Sequence, residues 1–324
     1  MKCFPPFRRW FLILWAMLAC SASEARAVGI WHRDYASAMN EARAEGKKLL
    51  IVFTGTDWIE ICAKFYDEIL GDPAFIATVS PQFALLKLEY PKDNVMPREE
   101  AAQKAVLREA YRVRGFPTVV LTDAEGRPFG LNGYQPLQPK EYGDQILGIL
   151  AVHEDNLAAV KESANLAGVD KAKALSRAIP DVPSALIARF YRAEMEAVLA
   201  ADPDDVLKMA GPFRKLIAEA DYSREIQKLA RESKWDEMIA VTNRHIEGQK
   251  LEGESLQGAL LNRAGFEKRA GQSDAATTTL RQIVAIDATS PPGEEAARLL
   301  KGGEGDAEAA EAPATTPARA QPVE

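Results

Sequence analysis

The order of strand-like and helix-like segments most limits the folds available to this chain. Between residue 30 and about residue 152, short apolar runs typical of buried strands alternate with segments whose apolar residues recur at helical spacing. The strand-like runs cover residues 48–53, 83–88, 118–121 and 129–131. This alternation, with a hairpin between the last two runs, predicts an α/β sandwich of three layers, in which helices cover both faces of a mixed sheet.

Capping residues mark several of the predicted helices. Asp34 is suited to cap the start of a helix that closes at Gly46. Thr56 or Asp57 is expected to cap the next helix, because both carry side-chain oxygens that accept hydrogen bonds from the first free amide groups. A further helix is expected over residues 97–113, with its proline in the first turn, where a missing amide hydrogen does no harm.

The second half of the sequence has a different character. After a predicted helix over residues 139–152, strand-like runs stop and helical spacing continues, interrupted by Pro and Gly at intervals of about one helix. Residues 235–240 and 273–278 both resemble the start of the second helix of a tetratricopeptide repeat. We therefore predict an all-α helical-hairpin domain over residues 153–301. Residues 302–324 contain almost no large apolar side chains and are expected to form a disordered tail.

Residues 1–27 have the features of a cleaved export signal. A positively charged start precedes a short apolar run and then small residues, which predicts cleavage before Val28. The apolar run is too short to span a bilayer, so we expect an exported, periplasmic protein whose first domain covers residues 28–152. One alternative stays open. Residues 17–20 read MLAC and resemble a bacterial lipoprotein box, in which Cys20 would be acylated and would anchor the protein to a membrane.

Charge and composition argue against some classes of partner and cofactor. The net charge is −7 and no long basic cluster occurs, so a nucleic-acid partner is not expected. No glycine-rich phosphate loop or nucleotide fingerprint occurs, and we predict no cofactor. The three histidines, His32, His153 and His245, lie far apart in sequence without the spacing of a metal site. We expect them to be surface or capping residues and predict no metal.

Two short motifs lie between the predicted strands. Residues 53–62 read FTGTDWIEIC and lie where the first strand gives way to a helix, and residues 112–118 read RVRGFPT and lead into the third strand. In their order and spacing the two motifs resemble a bacterial family of exported thioredoxin-like proteins. The resemblance covers about residues 30–152 and implies a thioredoxin-like fold there. The helical half has no match of comparable specificity.

The resemblance gives several residues a place in the thioredoxin motif. Trp58 falls at the tryptophan before the redox pair, Cys62 at its second cysteine and Pro117 at the cis-proline. Ile59 occupies the site of the attacking cysteine, and Phe53 the strand position that ordinarily carries a buried acid. Disulfide exchange needs one thiolate to attack and a second thiol to release the mixed disulfide, and isoleucine can do neither. Dithiol turnover is therefore not expected.

The sequence leaves the role of Cys62 open. The other two cysteines lie within residues 1–27, so after cleavage Cys62 is the only thiol and no internal disulfide can form. It can be a buried and inert side chain, a monothiol that forms mixed disulfides with a protein partner, or a link between two copies of the chain.

Two functions follow from these observations. The first is a non-catalytic peptide- or protein-binding or scaffolding module, in which the helical domain adds a second surface. Its peptide groove would consist of Trp58, Ile59, Phe116, Pro117 and Thr118. The alternative is a monothiol redox protein in which Cys62 is the catalytic residue of thiol–disulfide exchange. The exposure of that thiol separates the two hypotheses.

Overall fold

A five-stranded sheet organises the first half of the protein. The structure of the whole protein is a computed structural model that describes residues 31–93 and 95–311, with side chains up to residue 301. The strands are β1 (Trp31–His32), β2 (Lys48–Thr54), β3 (Phe83–Glu89), β4 (Thr118–Thr122) and β5 (Pro128–Asn132). Their spatial order is β1-β3-β2-β4-β5. The pairs β1–β3 and β2–β3 are parallel and the pairs β2–β4 and β4–β5 are antiparallel, so the sheet is mixed as predicted.

The helices of this half lie before, between and after the strands. They are α1 (Tyr35–Glu45), α2 (Glu60–Phe65), α3 (Pro73–Val79), α4 (Arg98–Ala110) and α5 (Pro139–Glu162), with a π-helical turn (Tyr66–Leu70) continuing α2. The short strand β1 and helix α3 were not predicted from the sequence. Neither has the length or periodicity that makes an element visible in sequence alone.

Both faces of the sheet are covered. Strand β2 is buried along its length after Lys48, so the side chains of both faces, which alternate along a strand, are shielded from water. On one face Leu50 and Val52 join a core with Phe65 and Tyr142 from the helices. On the other face Phe53 packs against the ring of Tyr111, at the end of α4. The three-layer α/β sandwich is thus confirmed.

The first helix begins and ends where the sequence predicts. The Asp34 side chain accepts a 2.7 Å hydrogen bond from the amide of Ser37, and Gly46 adopts a left-handed conformation with φ of 67°. The predicted cap of α2 is wrong. Ile59 stands at the N-cap position without a side-chain hydrogen bond, because the preceding residues form a separate turn. The carboxylate of Asp57 instead accepts from the amide of Lys92 at 3.1 Å.

Helix α5 runs ten residues beyond its predicted end at residue 152, to Glu162. The expected boundary between residues 152 and 153 therefore falls inside a continuous helix. Leu150 and His153 are both buried, so the same face of the helix keeps packing past that point. The structure divides into two compact units, of which the first reaches Asn156 and the second begins at Leu157, with Pro180–Val182 assigned to the first.

The second unit is all-helical in its described residues. Its helices are α6 (Gly168–Ser176), α7 (Ser184–Phe190), α8 (Arg192–Ala201), α9 (Ala210–Arg231), α10 (Trp235–Gln249), α11 (Gly253–Arg269), α12 (Ser273–Ile286) and α13 (Pro291–Glu311). From α9 onward each helix packs on the next in sequence. Trp235 and Ser273, which open the two segments that resemble a repeat, begin α10 and α12, the second helices of two hairpins. The predicted helical-hairpin architecture is confirmed.

Some predictions fall at the edges of what the structure describes. The signal segment 1–27 with Cys20 lies outside the described residues, as do residues 312–324. Helix α13 extends to Glu311, within the segment that we expected to be disordered. None of the described helices is long and apolar enough to cross a bilayer.

Candidate functional site

Strand pairing brings the two sequence motifs to one edge of the sheet. Phe53, near the end of β2, is paired with Thr118 at the start of β4. Because these strands are antiparallel, the turn that follows β2 and the loop that precedes β4 leave the sheet side by side. The sequence order of the strands alone does not reveal this, since it depends on β2 and β4 being neighbours.

The turn after β2 is shaped by a close contact between Gly55 and Trp58. The amides of Trp58 and Ile59 both donate to the carbonyl of Gly55, at 3.3 and 2.9 Å. A Cβ atom on Gly55 would lie 2.5 Å from the Trp58 Nε1 atom, so the indole packs directly over a residue that must lack a side chain. That Nε1–H donates to the carbonyl of Tyr90 at 2.8 Å. The indole is held in place although 47% of Trp58 is exposed.

The loop before β4 carries Phe116 into contact with that indole. The rings of Trp58 and Phe116 meet edge to face, with centroids 6.5 Å apart. Phe116 also stacks on Tyr90 at 4.8 Å, and the Arg108 guanidinium lies 5.3 Å from the centroid of the Phe116 ring. The Phe116–Pro117 peptide bond is cis. Contacts with Trp58, Tyr90 and Arg108 therefore hold the half-buried Phe116 ring next to the exposed Trp58 ring.

Ile59 and Cys62 lie at the start of α2. Ile59 is half-buried at the N-cap position, and its carbonyl accepts from the amide of Cys62 at 2.9 Å. Cys62 is a free thiol and is only 1% exposed. The thiol is closed off from solvent in this conformation. The accessible part of the site is aromatic and aliphatic.

Phe53 fills the buried position behind the site at which the resemblance places an acid. The ring is fully buried and contacts Tyr90 and Tyr111, with centroid distances of 6.3 and 6.1 Å. Burial raises the pKa of Tyr90 well above its ordinary value, so its hydroxyl stays protonated and donates to the carbonyl of Lys104 at 2.9 Å. The position that the resemblance gives to a proton-transferring acid is thus filled by a ring that cannot exchange protons.

Sequence reasoning missed Tyr90 and Arg108, which build the back of the site. A signal was available for Tyr90, since it directly follows a central strand and ligand sites in α/β sheets lie beyond the carboxyl ends of strands. Arg108 occupies an exposed position of α4 and gave no signal at all. Its contact with Phe116 depends on how α4 packs.

The predicted groove residues are brought to one region, though unequally exposed. Trp58 and Phe116 are in contact, Ile59 and Pro117 are their chain neighbours, and all but Trp58 are half-buried. Thr118 is also half-buried, and its hydroxyl donates to the carbonyl of Gly115 at 2.8 Å, which stabilises the loop. We refer to Trp58, Ile59, Phe116, Pro117 and Thr118 as the candidate groove.

The histidines lie outside the candidate groove. His32 pairs with Glu41 at 2.5 Å, whereas His153 stacks on Phe129 at 4.1 Å and His245 on Tyr222 at 4.3 Å. The expectation of surface or capping roles is wrong for His153 and His245, because ring stacking buries their side chains. In the part of the chain that the structure describes, no group of three or more His, Cys, Asp or Glu residues is arranged to hold a metal ion.

The fold and the paired motifs define a thioredoxin-like domain, and comparison with known proteins confirms this resemblance. Residues 35–145 match a family described as a thioredoxin-like domain. The chain is 29% identical over 132 residues to a protein named disulfide bond reductase DsbH, from Chlamydia pneumoniae. That match covers 37% of this chain and 80% of the relative.

A second relative from Chlamydia pneumoniae, named thioredoxin-related protein DsbJ, is 26% identical over 262 residues, which is 75% of this chain and 68% of the relative. This similarity extends past the sheet domain into the helical half. Among solved structures, one titled DsbH oxidoreductase is 28% identical, with a TM-score of 0.36, and covers 38% of this chain and 85% of that one.

Proposed function

We propose that the thioredoxin-like domain binds an extended segment of a protein or peptide partner without turning over disulfides. The observation that carries this proposal is the contrast in exposure at one site. Trp58 is 47% exposed, whereas Cys62 is 1% exposed and Ile59 stands where an attacking thiol would be needed.

Disulfide exchange depends on access to sulfur. Exchange requires a thiolate to approach a disulfide in line and a second thiol to resolve the product. Ile59 supplies no thiol, and Cys62 is covered. The sheet domain keeps the scaffold of exchange without the reacting groups at the surface.

The aromatic surface at the candidate groove is suited to binding. Exposed aromatic side chains held by neighbours lose little entropy on binding and are frequent anchors in interfaces. Trp58 is held by its hydrogen bond to Tyr90, and Phe116 by stacking. The resemblance further implies that the loop with Pro117 pairs its backbone with an extended peptide. In this proposal the helical unit provides a second surface.

Binding to a permanently unfolded, thiol-blocked protein tests the proposal, because that probe excludes disulfide chemistry. We expect the protein from Val28 onward to bind it, and Trp58→Ala to weaken binding by about tenfold or more. Val106→Ala is the matched control, since it removes an exposed apolar side chain outside the candidate groove. Unchanged binding in Trp58→Ala, or insulin-disulfide reduction above the dithiothreitol background, would contradict the proposal.

A second candidate function is monothiol exchange through Cys62, supported by the name of the relative DsbH, a disulfide bond reductase. In this reaction the Cys62 thiolate attacks a substrate disulfide and forms a mixed disulfide while one substrate thiolate leaves. A small thiol then attacks the mixed disulfide and releases Cys62. The rate of thiol labelling against pH separates the functions, because labelling only after unfolding excludes exchange.

We also propose that the protein is exported to the periplasm, on the basis of the sequence features of residues 1–27. Mass spectrometry of the mature N-terminus tests this. A start at Val28 supports the soluble form, whereas an acylated Cys20 supports a membrane-anchored lipoprotein. An N-terminus at Met1 would contradict both.

A further inference from the structure

A basic cleft opens next to the candidate groove. Its volume is about 720 Å³, within the range of ligand pockets. The charged side chains that line it are Lys104, Arg108, Arg112, Arg114 and Glu109, so bases outnumber acids by four to one. This local excess of positive charge contrasts with the net charge of −7 of the whole chain.

Not all of these charges are free to bind a ligand. Lys104 donates to the carboxylate of Glu100 and to a backbone carbonyl, each at 2.6 Å, and Arg112 pairs with Glu109. Arg108 uses its Nε–H on the carbonyl of Val113 at 3.2 Å.

Arg108 and Arg114 are exposed, and neither pairs with a carboxylate within the described residues. The terminal guanidinium groups of these two cleft residues therefore remain available as hydrogen-bond donors. A guanidinium group presents a planar pair of donors that matches a carboxylate in geometry and charge.

The cleft and the candidate groove share a wall. Tyr90 lines the cleft and stacks on Phe116, whose ring also contacts Trp58. Arg108 lines the cleft and lies over the same Phe116 ring. A chain segment that lies across Trp58 and Phe116 therefore has the cleft beside it.

We infer that the basic cleft receives acidic side chains of the segment bound in the candidate groove, so that the partner carries carboxylates next to an apolar stretch. This inference rests on the proposed function. A nucleic acid fits less well, since two free guanidinium groups fall short of the several phosphate contacts on which such binding depends.

Three pooled peptide libraries test the inference. Each peptide has a random central stretch between flanking triplets, and the triplets are Glu in one library, Gln in the second and Lys in the third. Peptides retained by the immobilised protein are measured by mass spectrometry. We expect the Glu library to be retained about tenfold more than the Gln library at low salt, and this ratio to fall as salt screens the charges.

Arg114→Gln should lower the ratio of Glu to Gln retention, because only Arg108 then remains as a free guanidinium group in the cleft. Arg98→Gln is the matched control, because it removes the same charge from an exposed position of α4 that does not line the cleft, and it should keep the ratio. A ratio that survives Arg114→Gln, or that falls equally in the control, overturns the inference.

The remaining outcomes separate this inference from the proposed function. Equal retention of the Glu and Gln libraries by the unmodified protein overturns the inference and leaves peptide binding intact. Retention of no library overturns both. If citrate, a free tricarboxylate, binds through Arg114 while the two libraries are retained equally, the cleft is a site for small anions and the inference is wrong.

Discussion

Single side chains decide what the site can do. By the resemblance, Ile59 stands at the position of a nucleophile and Phe53 at the position of a buried acid, and Gly55 leaves room for the Trp58 indole. The first two were visible in the sequence because the resemblance supplied the positions. The third was not, since a glycine in a turn gives no indication of what packs on it.

Restoring the missing thiol tests the position of residue 59. Ile59→Cys recreates two cysteines at the spacing of a redox pair, and we expect disulfide exchange with insulin to appear where the unmodified protein shows none. Ile61→Cys is the matched control, because it adds a thiol at an exposed position of α2 with the wrong spacing. A folded Ile59→Cys protein without activity would contradict the placement of Ile59 at the attacking site.

Adding one methyl group to the turn tests the packing of the indole. In Gly55→Ala the new Cβ would lie 2.5 Å from the Trp58 Nε1 atom and would displace the indole from its hydrogen bond to Tyr90. We expect a loss of about 1–3 kcal/mol in the free energy of unfolding, measured by denaturant titration. Gly115→Ala, whose Cβ would meet no atom within 4 Å, should change stability by less than about 0.5 kcal/mol.

At the scale of secondary structure, the long periodic elements were predictable. Strands β2 and β3 and helices α1 and α4 were predicted within a few residues, because their apolar runs and capping residues act locally. The start of α2 was not, since Thr56 and Asp57 take part in tertiary contacts instead of capping. Helix α5 also runs past its predicted end to Glu162, and of its residues after 152 only His153 is buried.

Alanine substitutions at Asp34 and Thr56 test how helices α1 and α2 begin. Asp34→Ala should lower the free energy of unfolding by about 1 kcal/mol, because the amide and hydroxyl of Ser37 both lose an acceptor. Thr56→Ala should cost less than about 0.5 kcal/mol, since the structure gives its side chain no capping role. Equal losses in the two variants, measured by thermal unfolding, would show that the assignment of the α2 start is wrong.

At the scale of the whole molecule, the protein joins a mixed-sheet unit to an all-helical unit. The change of composition near residue 153 predicted the change of architecture, although it could not show that a helix spans that point. The charges of the basic cleft all lie within residues 104–114, so the sequence places them close together, but it could not show that Tyr90, which directly follows β3, forms the cleft with them. Contacts between distant segments are what sequence patterns leave undetermined.

The pH dependence of stability tests the buried environment of His153 in the first unit. Burial, together with the nearby charges of Lys48 and Arg127, lowers the pKa of His153 from 6.5 to about 4. The unfolded chain therefore binds the proton more tightly, so stability should be full above pH 6.5 and should fall as the pH drops to about 4. Each pH unit in that window is worth at most about 1.4 kcal/mol, and we expect about 2 kcal/mol in total because of solvent screening.

His153→Phe keeps a ring stacked on Phe129 and removes the titrating group. Its stability, followed by urea unfolding at several pH values, should lack the loss that the unmodified protein shows between pH 6.5 and about 4. The same slope in both proteins would exclude His153 as its source.

The enclosed sulfur of Cys62 has a consequence for where the protein can work. A dithiol reductase needs a supply of electrons that re-reduces its cysteine pair after each turnover. If the proposed binding function holds, a protein whose thiol at Cys62 is buried needs no such supply. Its capacity to hold a partner would stay the same whether its surroundings are oxidising or reducing.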